Sequence, residues 1–146
     1  MIKTAVQASF KMEERLKTHG LRVTHQRLQL ALRVLSKHDH FTADDILAWS
    51  VKSSLRLSRA TIYNTLNEFV AVGLLRSFQL SSSSGQKLIF DSNTGSHFHF
   101  LDTSTHEIFD LAPGSVSVKV KDLKDYLIEE TEVFFRGRRI GQRISS

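Results

Sequence analysis

Apolar residues recur every three or four positions along four stretches of the first half of the chain, a spacing that predicts four amphipathic helices. Three of these stretches follow Thr24, Thr42 and Ser58, and serine and threonine are favoured helix N-caps. Two aspartates after Thr42 support that start, since acidic residues in the first turn interact favourably with the helix dipole. Gly20 and Gly73 are the predicted stops of the first and last helices. The helices are predicted over residues 5–18, 24–38, 42–52 and 58–73.

Beyond Gly73 the apolar residues fall into short runs separated by turn residues, which predicts strands. The first two runs flank a serine-rich turn and are predicted to form a hairpin. The second, third and fourth runs are predicted to form a three-stranded meander, and residues 122–126 a short helical turn. The predicted strands cover residues 74–80, 87–91, 97–100, 107–111, 116–120 and 132–136.

Helices followed by a two-stranded hairpin are typical of the winged helix-turn-helix, a DNA-binding fold. In that fold the last helix presents its N-terminal half to the major groove. The alternative is an ordinary helix of a bundle, but four polar side chains that can contact DNA lie within two turns and favour the first interpretation. The outward residues that we predict to contact DNA are Arg59, Thr61, Tyr63 and Asn64.

Charge is distributed unevenly along the chain. Residues 1–85 hold twelve Lys or Arg and six Asp or Glu, whereas residues 86–146 hold eight and nine. The first part therefore carries +6 and the second −1, which together give the +5 of the whole chain. A basic part next to a slightly acidic one indicates that the basic part contacts a polyanion. The basic tail at residues 136–146 is predicted to be solvated.

The composition excludes several classes of protein. The chain has no cysteine, which rules out disulfides, thiolate zinc sites, iron–sulfur clusters and cysteine nucleophiles. No apolar run is long enough to span a membrane, and no secretory signal precedes the first predicted helix. We therefore expect a cytoplasmic protein with no membrane partner, in which any bound metal has nitrogen and oxygen ligands.

A His-x-His pair, His97 and His99, lies between two carboxylates, Asp91 and Asp110. Side chains two residues apart in a strand point to the same face, about 7 Å apart along the backbone. This spacing suits two imidazoles that bind one divalent cation, and the predicted meander would bring both aspartates towards it. The alternative is a polar edge strand with two ordinary histidines, and the pair alone leaves both interpretations open.

Several sequence runs, taken in order, resemble the Fur (ferric uptake regulator) superfamily of metal-dependent transcriptional regulators. They are GLRVTHQRLQLALRVL, HFTADDIL, SRATIYNTLNEFVAVGLL, KLIFD, and HFHF with a later EIFDL, and they cover roughly residues 8–111. The resemblance implies an α+β fold, with a winged helix-turn-helix over residues 1–84 and a small α/β dimerisation domain over residues 85–146. It also implies a homodimer that binds a double-stranded DNA operator, with a regulatory metal between the two domains.

The same resemblance implies which residues form the sites. One divalent transition metal per subunit, iron, manganese or zinc, would be bound by residues from both domains. Aspartate rather than glutamate at Asp91 and Asp110 resembles the peroxide-sensing PerR branch of the family. Arg22 matches a basic position that contacts a phosphate or the minor groove in Fur-like proteins. The implied metal ligands are His40, Asp91, His97, His99 and Asp110.

The chain also departs from the family pattern. The structural zinc of the family is commonly held by two Cys-x-x-Cys pairs, the first of which falls on Asp102 and Thr105, so no structural Cys-zinc site is expected. Phe98 replaces the acidic residue between the two histidines, which weakens any second metal site. A cysteine-free Fur-like chain is most similar to the Irr branch of iron-response regulators, whose members can respond to haem. The resemblance therefore leaves both a metal ion and haem open as the effector.

Three functions can be compared on these features. The leading hypothesis is a metal-dependent DNA-binding regulator of the iron or manganese class, acting as a repressor. The second is a haem-responsive, Irr-type or metal-independent regulator of the same fold. The third is a small metalloenzyme, which would need an open coordination position and a general base that no motif supplies. The sequence therefore predicts a regulator and not an enzyme.

Overall fold

The computed structural model describes residues 2–82 and 84–140 of the chain. These residues form both helices and sheets, so the predicted α+β class is confirmed. The helices are α1 (Ile2–Thr18), α2 (His25–Leu35), α3 (Ala43–Lys52) and α4 (Arg59–Ala71). The strands are β1 (His40–Phe41), β2 (Arg76–Ser82), β3 (Gly85–Asp91), β4 (Phe98–Asp102), β5 (Ile108–Leu111) and β6 (Phe134–Gly137).

Three helices begin at the caps that the sequence predicted. The hydroxyls of Thr24 and Ser58 each accept a hydrogen bond from a backbone N–H in the first turn of the following helix. Thr42 and Asp45 form a capping box at α3, in which each side chain accepts a bond from the other residue's N–H. These bonds satisfy donors that have no partner within the helix and so fix where each helix begins. Among the described helices, none is long and apolar enough to cross a membrane.

The chain forms two compact units, the first ending at Thr94 and the second beginning at Gly95. The first unit contains α1 to α4 and β1 to β3 around a common hydrophobic core. Removal of these apolar side chains from water provides the main stabilisation of the unit. Each helix and β3 contribute fully buried side chains to this core, among them Leu16, Leu30, Ile46, Phe69 and Phe90.

An antiparallel sheet with the strand order β1-β3-β2 belongs to the first unit. β2 and β3 form the predicted hairpin, in which Arg76 lies opposite Asp91. β1 adds only His40 and Phe41 to the other edge of β3. The sequence predicted a link here, because two residues are too few for an alternating pattern. This short strand places His40 directly opposite Asp91.

A separate sheet with the order β5-β4-β6 belongs to the second unit. β4 is central, antiparallel to β5 and parallel to β6. His99 of β4 lies opposite Asp110 of β5 on one side and Phe134 of β6 on the other. Phe98 and His99 therefore belong to a central strand and not to an edge strand, and His97 lies directly before that strand.

The structure overturns two strand predictions. The meander of three consecutive strands is wrong, because β3 pairs with β1 and β2 whereas β4 pairs with β5 and β6. Both edges of β3 are occupied, which leaves no edge for β4. The strand predicted over residues 116–120 is also wrong, since these residues form no ladder and Val118 and Val120 are exposed. The strand predicted over residues 132–136 corresponds to β6.

The division after Thr94 falls later than the predicted domain boundary at residue 84. The ladder between β2 and β3 explains this difference, since it keeps residues 85–91 in the first unit. The assignment of separate DNA-binding and dimerisation functions to residues 1–84 and 85–146 stays a prediction. Of the basic tail, residues 141–146 lie outside the described part of the chain.

Candidate functional site

In the first unit, His40 and Asp91 face each other across the ladder between β1 and β3. The imidazole Nε2 of His40 lies 3.4 Å from Oδ2 of Asp91. Asp91 is only 1% exposed. A carboxylate as buried as this is costly unless a cation or hydrogen-bond donors offset its charge. The pair therefore offers one nitrogen and one oxygen donor to a cation, at a position set by backbone pairing.

Ser92, directly after Asp91, fixes the segment that carries His40. Its Oγ accepts a hydrogen bond from the N–H of Asp39 and donates one to the carbonyl oxygen of Lys37, both at 2.8 Å. The N–H of Ser92 also donates to the carbonyl oxygen of Asp39 at 3.2 Å. These bonds hold the segment against β3 and keep His40 opposite Asp91. Ser92 was not among the predicted site residues, although a hydroxyl residue next to a predicted ligand was an available signal.

In the second unit, the side chains of His97, His99 and Asp110 converge. The Nε2 atoms of the two histidines are 2.9 Å apart. Oδ1 of Asp110 lies 3.3 Å from Nε2 of His97 and 3.7 Å from Nε2 of His99. Both imidazoles are buried, with side chains 3% and 9% exposed. Two ring nitrogens and one carboxylate oxygen thus point into a common space. The spacing of the His-x-His pair predicted that the two imidazoles share a face, whereas Asp110 comes close to them through the ladder between β4 and β5.

Two further contacts orient these imidazoles. Nδ1 of His97 lies 2.7 Å from the carbonyl oxygen of Gly95, which can only accept, so Nδ1 carries the proton and donates it. The neutral ring then has its lone pair on Nε2, the atom that faces His99 and Asp110. The ring of His99 stacks on Phe134, with centroids 4.8 Å apart. Gly95 and Phe134 were not among the predicted site residues, because neither residue type suggests a metal site.

The donor atoms of both units fit a divalent transition metal. They are imidazole nitrogens and carboxylate oxygens, and imidazole favours manganese, iron, cobalt or zinc over magnesium or calcium. In the second unit the three donor atoms lie within 4.8 Å of one another, and the same holds for the His40 and Asp91 pair of the first unit. Each set is thus compact enough to contribute to a cation site.

The predicted DNA contacts lie on α4 and in the segment before α2. Arg59 at the start of α4 is exposed and forms an ion pair with Asp44 of α3. Tyr63 is half-buried and packs against the hydrophobic core. Arg22 is exposed, and its carbonyl oxygen accepts a hydrogen bond from the guanidinium of Arg27. Of the remaining predicted contacts on α4, Thr61 is half-buried and Asn64 is exposed.

Comparisons with known proteins point to one family. Residues 18–133 match the model of the ferric uptake regulator family. The chain is 34% identical over 95 residues to the peroxide-responsive repressor PerR of Staphylococcus aureus. That alignment covers 65% of this chain and 62% of the relative, so the chain spans less than two thirds of the length of this curated relative.

Solved structures show the same fold. The chain superposes on the ferric uptake regulator of Pseudomonas aeruginosa, solved with manganese, with a TM-score of 0.63 and 18% identity. The match covers 88% of this chain and 98% of that protein. The peroxide stress regulator of Campylobacter jejuni superposes with a TM-score of 0.57 and 25% identity, covering 86% of this chain and 94% of that protein.

Proposed function

We infer the function from one premise: the chain belongs to the ferric uptake regulator family. We propose that it is a metal-dependent, DNA-binding transcriptional regulator of the iron or manganese class, acting as a repressor and not as an enzyme. The observation that carries this proposal is the convergence of His97, His99 and Asp110, with the donor atom of His97 oriented by Gly95. Similarity to peroxide-responsive repressors and ferric uptake regulators supports it.

We propose that the two sets of donors together hold one divalent metal per subunit, which is iron, manganese or zinc. When bound, the cation supplies positive charge that offsets the carboxylates of Asp91 and Asp110. His97 contributes Nε2, because its Nδ1 proton is engaged by Gly95. Relatives solved with manganese, zinc or iron support this class of metal. The proposed ligands are His40, Asp91, His97, His99 and Asp110.

Regulation follows from the division of these ligands between the units. His40 lies two residues before Thr42, the first residue of the α3 capping box, and α3 and α4 share the core of the first unit. His97, His99 and Asp110 belong to the second unit. Ligands from both units would favour one arrangement of the units, and stronger metal affinity for that arrangement would link metal binding to DNA binding.

The proposed active form is a cytoplasmic homodimer bound to a double-stranded operator. A symmetric pair of α4 helices would contact the two halves of a pseudo-palindromic site. Self-association is supported by exposed apolar side chains in the second unit, since such surfaces favour burial in an interface. These side chains include Val118, Val120, Leu127 and Phe135.

Haem is the alternative effector, and absorbance titration separates it from a metal ion. The relatives described above are peroxide and ferric uptake regulators, which favours the metal ion. Protein purified without chelators would be titrated separately with Co²⁺ and with haem. We expect d–d absorption from Co²⁺ with nitrogen and oxygen ligands at one equivalent. A saturable shift of the Soret band at one equivalent of haem, without a Co²⁺ signal, would contradict the proposal.

Arg59→Ala and Tyr63→Ala are each expected to weaken binding to a duplex selected from a random-sequence library by about 1–3 kcal/mol, because each removes a proposed base contact. Arg22→Ala is expected to weaken binding to all duplexes and to reduce the salt dependence of that binding, because Arg22 is proposed to contact a phosphate or the minor groove. Fluorescence anisotropy at several salt concentrations measures both effects.

Tyr63→Phe is the matched control for packing, because it keeps the ring against the core and removes only the hydroxyl. Thermal unfolding of each variant separates lost DNA contacts from lost stability. Wild-type affinity in both Arg59→Ala and Tyr63→Ala would show that α4 is not the recognition helix.

Removal of metal with EDTA is expected to leave the protein folded and dimeric, because no thiolate zinc site stabilises it. Strand pairing and apolar burial would hold the dimer instead. Circular dichroism and sedimentation velocity, with and without EDTA, measure folding and assembly. Dissociation into unfolded monomers would contradict this expectation. The side chains proposed to be buried in the dimer interface are Ile108, Phe109, Val133 and Phe135.

A further inference from the structure

The carboxylate of Asp102 is buried at the end of β4, where the chain turns towards β5. Its Oδ1 accepts hydrogen bonds from the N–H and the hydroxyl of Ser104, at 2.8 and 2.5 Å, and from the N–H of Thr105 at 3.3 Å. The residue is only 2% exposed, so water competes little for these donors. One oxygen of Asp102 therefore organises the turn.

The other oxygen of Asp102 contacts a distant segment of the chain. Oδ2 accepts a hydrogen bond from the N–H of Arg139, just beyond β6, at 3.3 Å. Beside it, the N–H and hydroxyl of Thr103 donate to the carbonyl oxygen of Gly137 at 2.8 and 3.1 Å. Asp102 and Gly137 are also partners in the ladder between β4 and β6. A single side chain thus joins the β4–β5 turn to the end of β6.

These donors stabilise the ionised carboxylate. The hydroxyl and then the N–H of Ser104 are the main causes that lower the pKa of Asp102 from 3.8 to about 2. Because the folded-state pKa is depressed, the carboxylate stabilises the fold above about pH 4, and this contribution is lost as the pH falls through about 2. Charged side chains lie in the segments that Asp102 joins. Glu107 accepts from the Thr105 hydroxyl at 3.5 Å, and the guanidinium of Arg139 lies over the Phe109 ring.

The structural zinc that is common in the family would lie at this turn, because the first cysteine pair of the family falls on Asp102 and Thr105. Neither residue supplies a thiolate. The Asp102 oxygens already accept hydrogen bonds from four groups, and the Thr105 hydroxyl donates to Glu107. The residues at this turn therefore do not fit a zinc ion.

We propose that the carboxylate of Asp102 replaces this metal cross-link and fixes β6 beside β4 without an ion. The ladder from β4 to β6 has Asp102 and Gly137 at one end and His99 and Phe134 at the other. Fixing β6 also keeps the Phe134 ring stacked on His99. Because His99 is a proposed metal ligand, loss of this stacking should weaken metal binding, and this consequence rests on the proposed function. Asp102 is in this sense a positioning residue, since it acts through β6.

Hydrogen exchange of individual amides in EDTA tests the cross-link independently of the regulatory metal. Asp102→Asn keeps one oxygen that can accept from Ser104 and Thr105. Its amide NH2 group, which is a donor, then faces the N–H of Arg139. We expect the Arg139 N–H to exchange about tenfold faster or more in Asp102→Asn, with the Ser104 and Thr105 amides little changed. Asp102→Ala should accelerate exchange at all three amides. Asp125→Asn, an exposed change of the same charge, should alter none of them.

Equal exchange of the Arg139 amide in wild type and Asp102→Asn would overturn the proposal, as would protection that requires added Zn²⁺ in the wild type. If Asp102→Ala does not fold, Asp102→Asn still gives the decisive comparison. Co²⁺ titration provides the second readout, and Asp102→Asn should bind Co²⁺ about tenfold more weakly while Asp125→Asn binds normally. Wild-type protein that binds no Co²⁺ would contradict the proposed function, whereas the exchange pattern in EDTA decides on the cross-link.

Discussion

His97→Ala and His99→Ala are each expected to lower the affinity for Mn²⁺ and Zn²⁺ by about 100-fold or more, because removal of a ligand should cost at least as much as removal of an outer-shell partner. The two Nε2 atoms lie 2.9 Å apart, and both lie near Asp110, so either change removes a central donor. Isothermal titration calorimetry on chelator-treated protein measures the loss.

Histidines outside the two donor sets provide matched controls. His19, His25 and His38 should be replaceable by alanine with no change in metal affinity. His19 uses its Nδ1 in a local contact with the carbonyl oxygen of Arg15 at 2.8 Å. Wild-type affinity in both His97→Ala and His99→Ala would rule out the second-unit cluster as the metal site.

His40→Ala is expected to have a different effect, with metal binding retained and its link to DNA removed. His97, His99 and Asp110 remain in the second unit and should still bind Mn²⁺, although more weakly. Asp91 is then the only proposed ligand of the first unit, and metal should no longer favour the DNA-binding arrangement. Ligand linkage of this kind is typically about 5–150-fold in affinity. We therefore expect Mn²⁺ to raise the DNA affinity of the wild type by a factor in that range, and that of His40→Ala by a factor of about one.

Ser92→Ala is expected to weaken the coupling of metal binding to DNA binding less than His40→Ala does. It removes the hydroxyl that bridges Asp39 and Lys37 but keeps every proposed ligand. We expect it to reduce, but not abolish, the effect of Mn²⁺ on DNA affinity, as measured by anisotropy. Ser92→Thr keeps a hydroxyl and should restore most of the effect. If Mn²⁺ strengthens DNA binding equally in wild type and Ser92→Ala, these hydrogen bonds do not position His40.

The helices of the first unit could be predicted from the sequence because local interactions determine where they begin. Thr24, Thr42 and Ser58 each accept a bond within the first turn of the helix that they precede, and each is visible as a Ser or Thr ahead of an apolar repeat. The helical spacing of apolar residues also agrees with the burial of Leu35 in α2 and Leu66 in α4. The residues that determine where each helix begins therefore lie within a few positions of that start in the sequence.

Strand partners could not be predicted in the same way, because pairing depends on distant segments. A meander of neighbouring strands was the simplest expectation for β3, β4 and β5, but β3 pairs with β1, whose two residues give no strand signal. Asp91 is therefore opposite His40 and not on a strand next to His99. The five candidate ligands could be named because they resemble the family pattern, whereas their strand partners required the structure.

Contacts that orient the candidate ligands were equally hidden in the sequence. Ser92 and Phe134 are separated from the segments that they position by more than thirty residues, and Gly95 acts through a carbonyl oxygen that every residue possesses. Asp102 was noted only as a position where the family has cysteine. Its hydrogen bonds to Ser104 and Arg139 give it a role that residue type alone does not indicate.

The most direct test of the regulatory claim is operator affinity with and without Mn²⁺, measured by anisotropy on wild type and His40→Ala beside calorimetric Mn²⁺ titrations of the same samples. The proposal predicts that Mn²⁺ strengthens DNA binding of the wild type and leaves that of His40→Ala unchanged, while both proteins bind Mn²⁺. An equal strengthening by Mn²⁺ in His40→Ala would contradict the claim that ligands from both units couple metal to DNA.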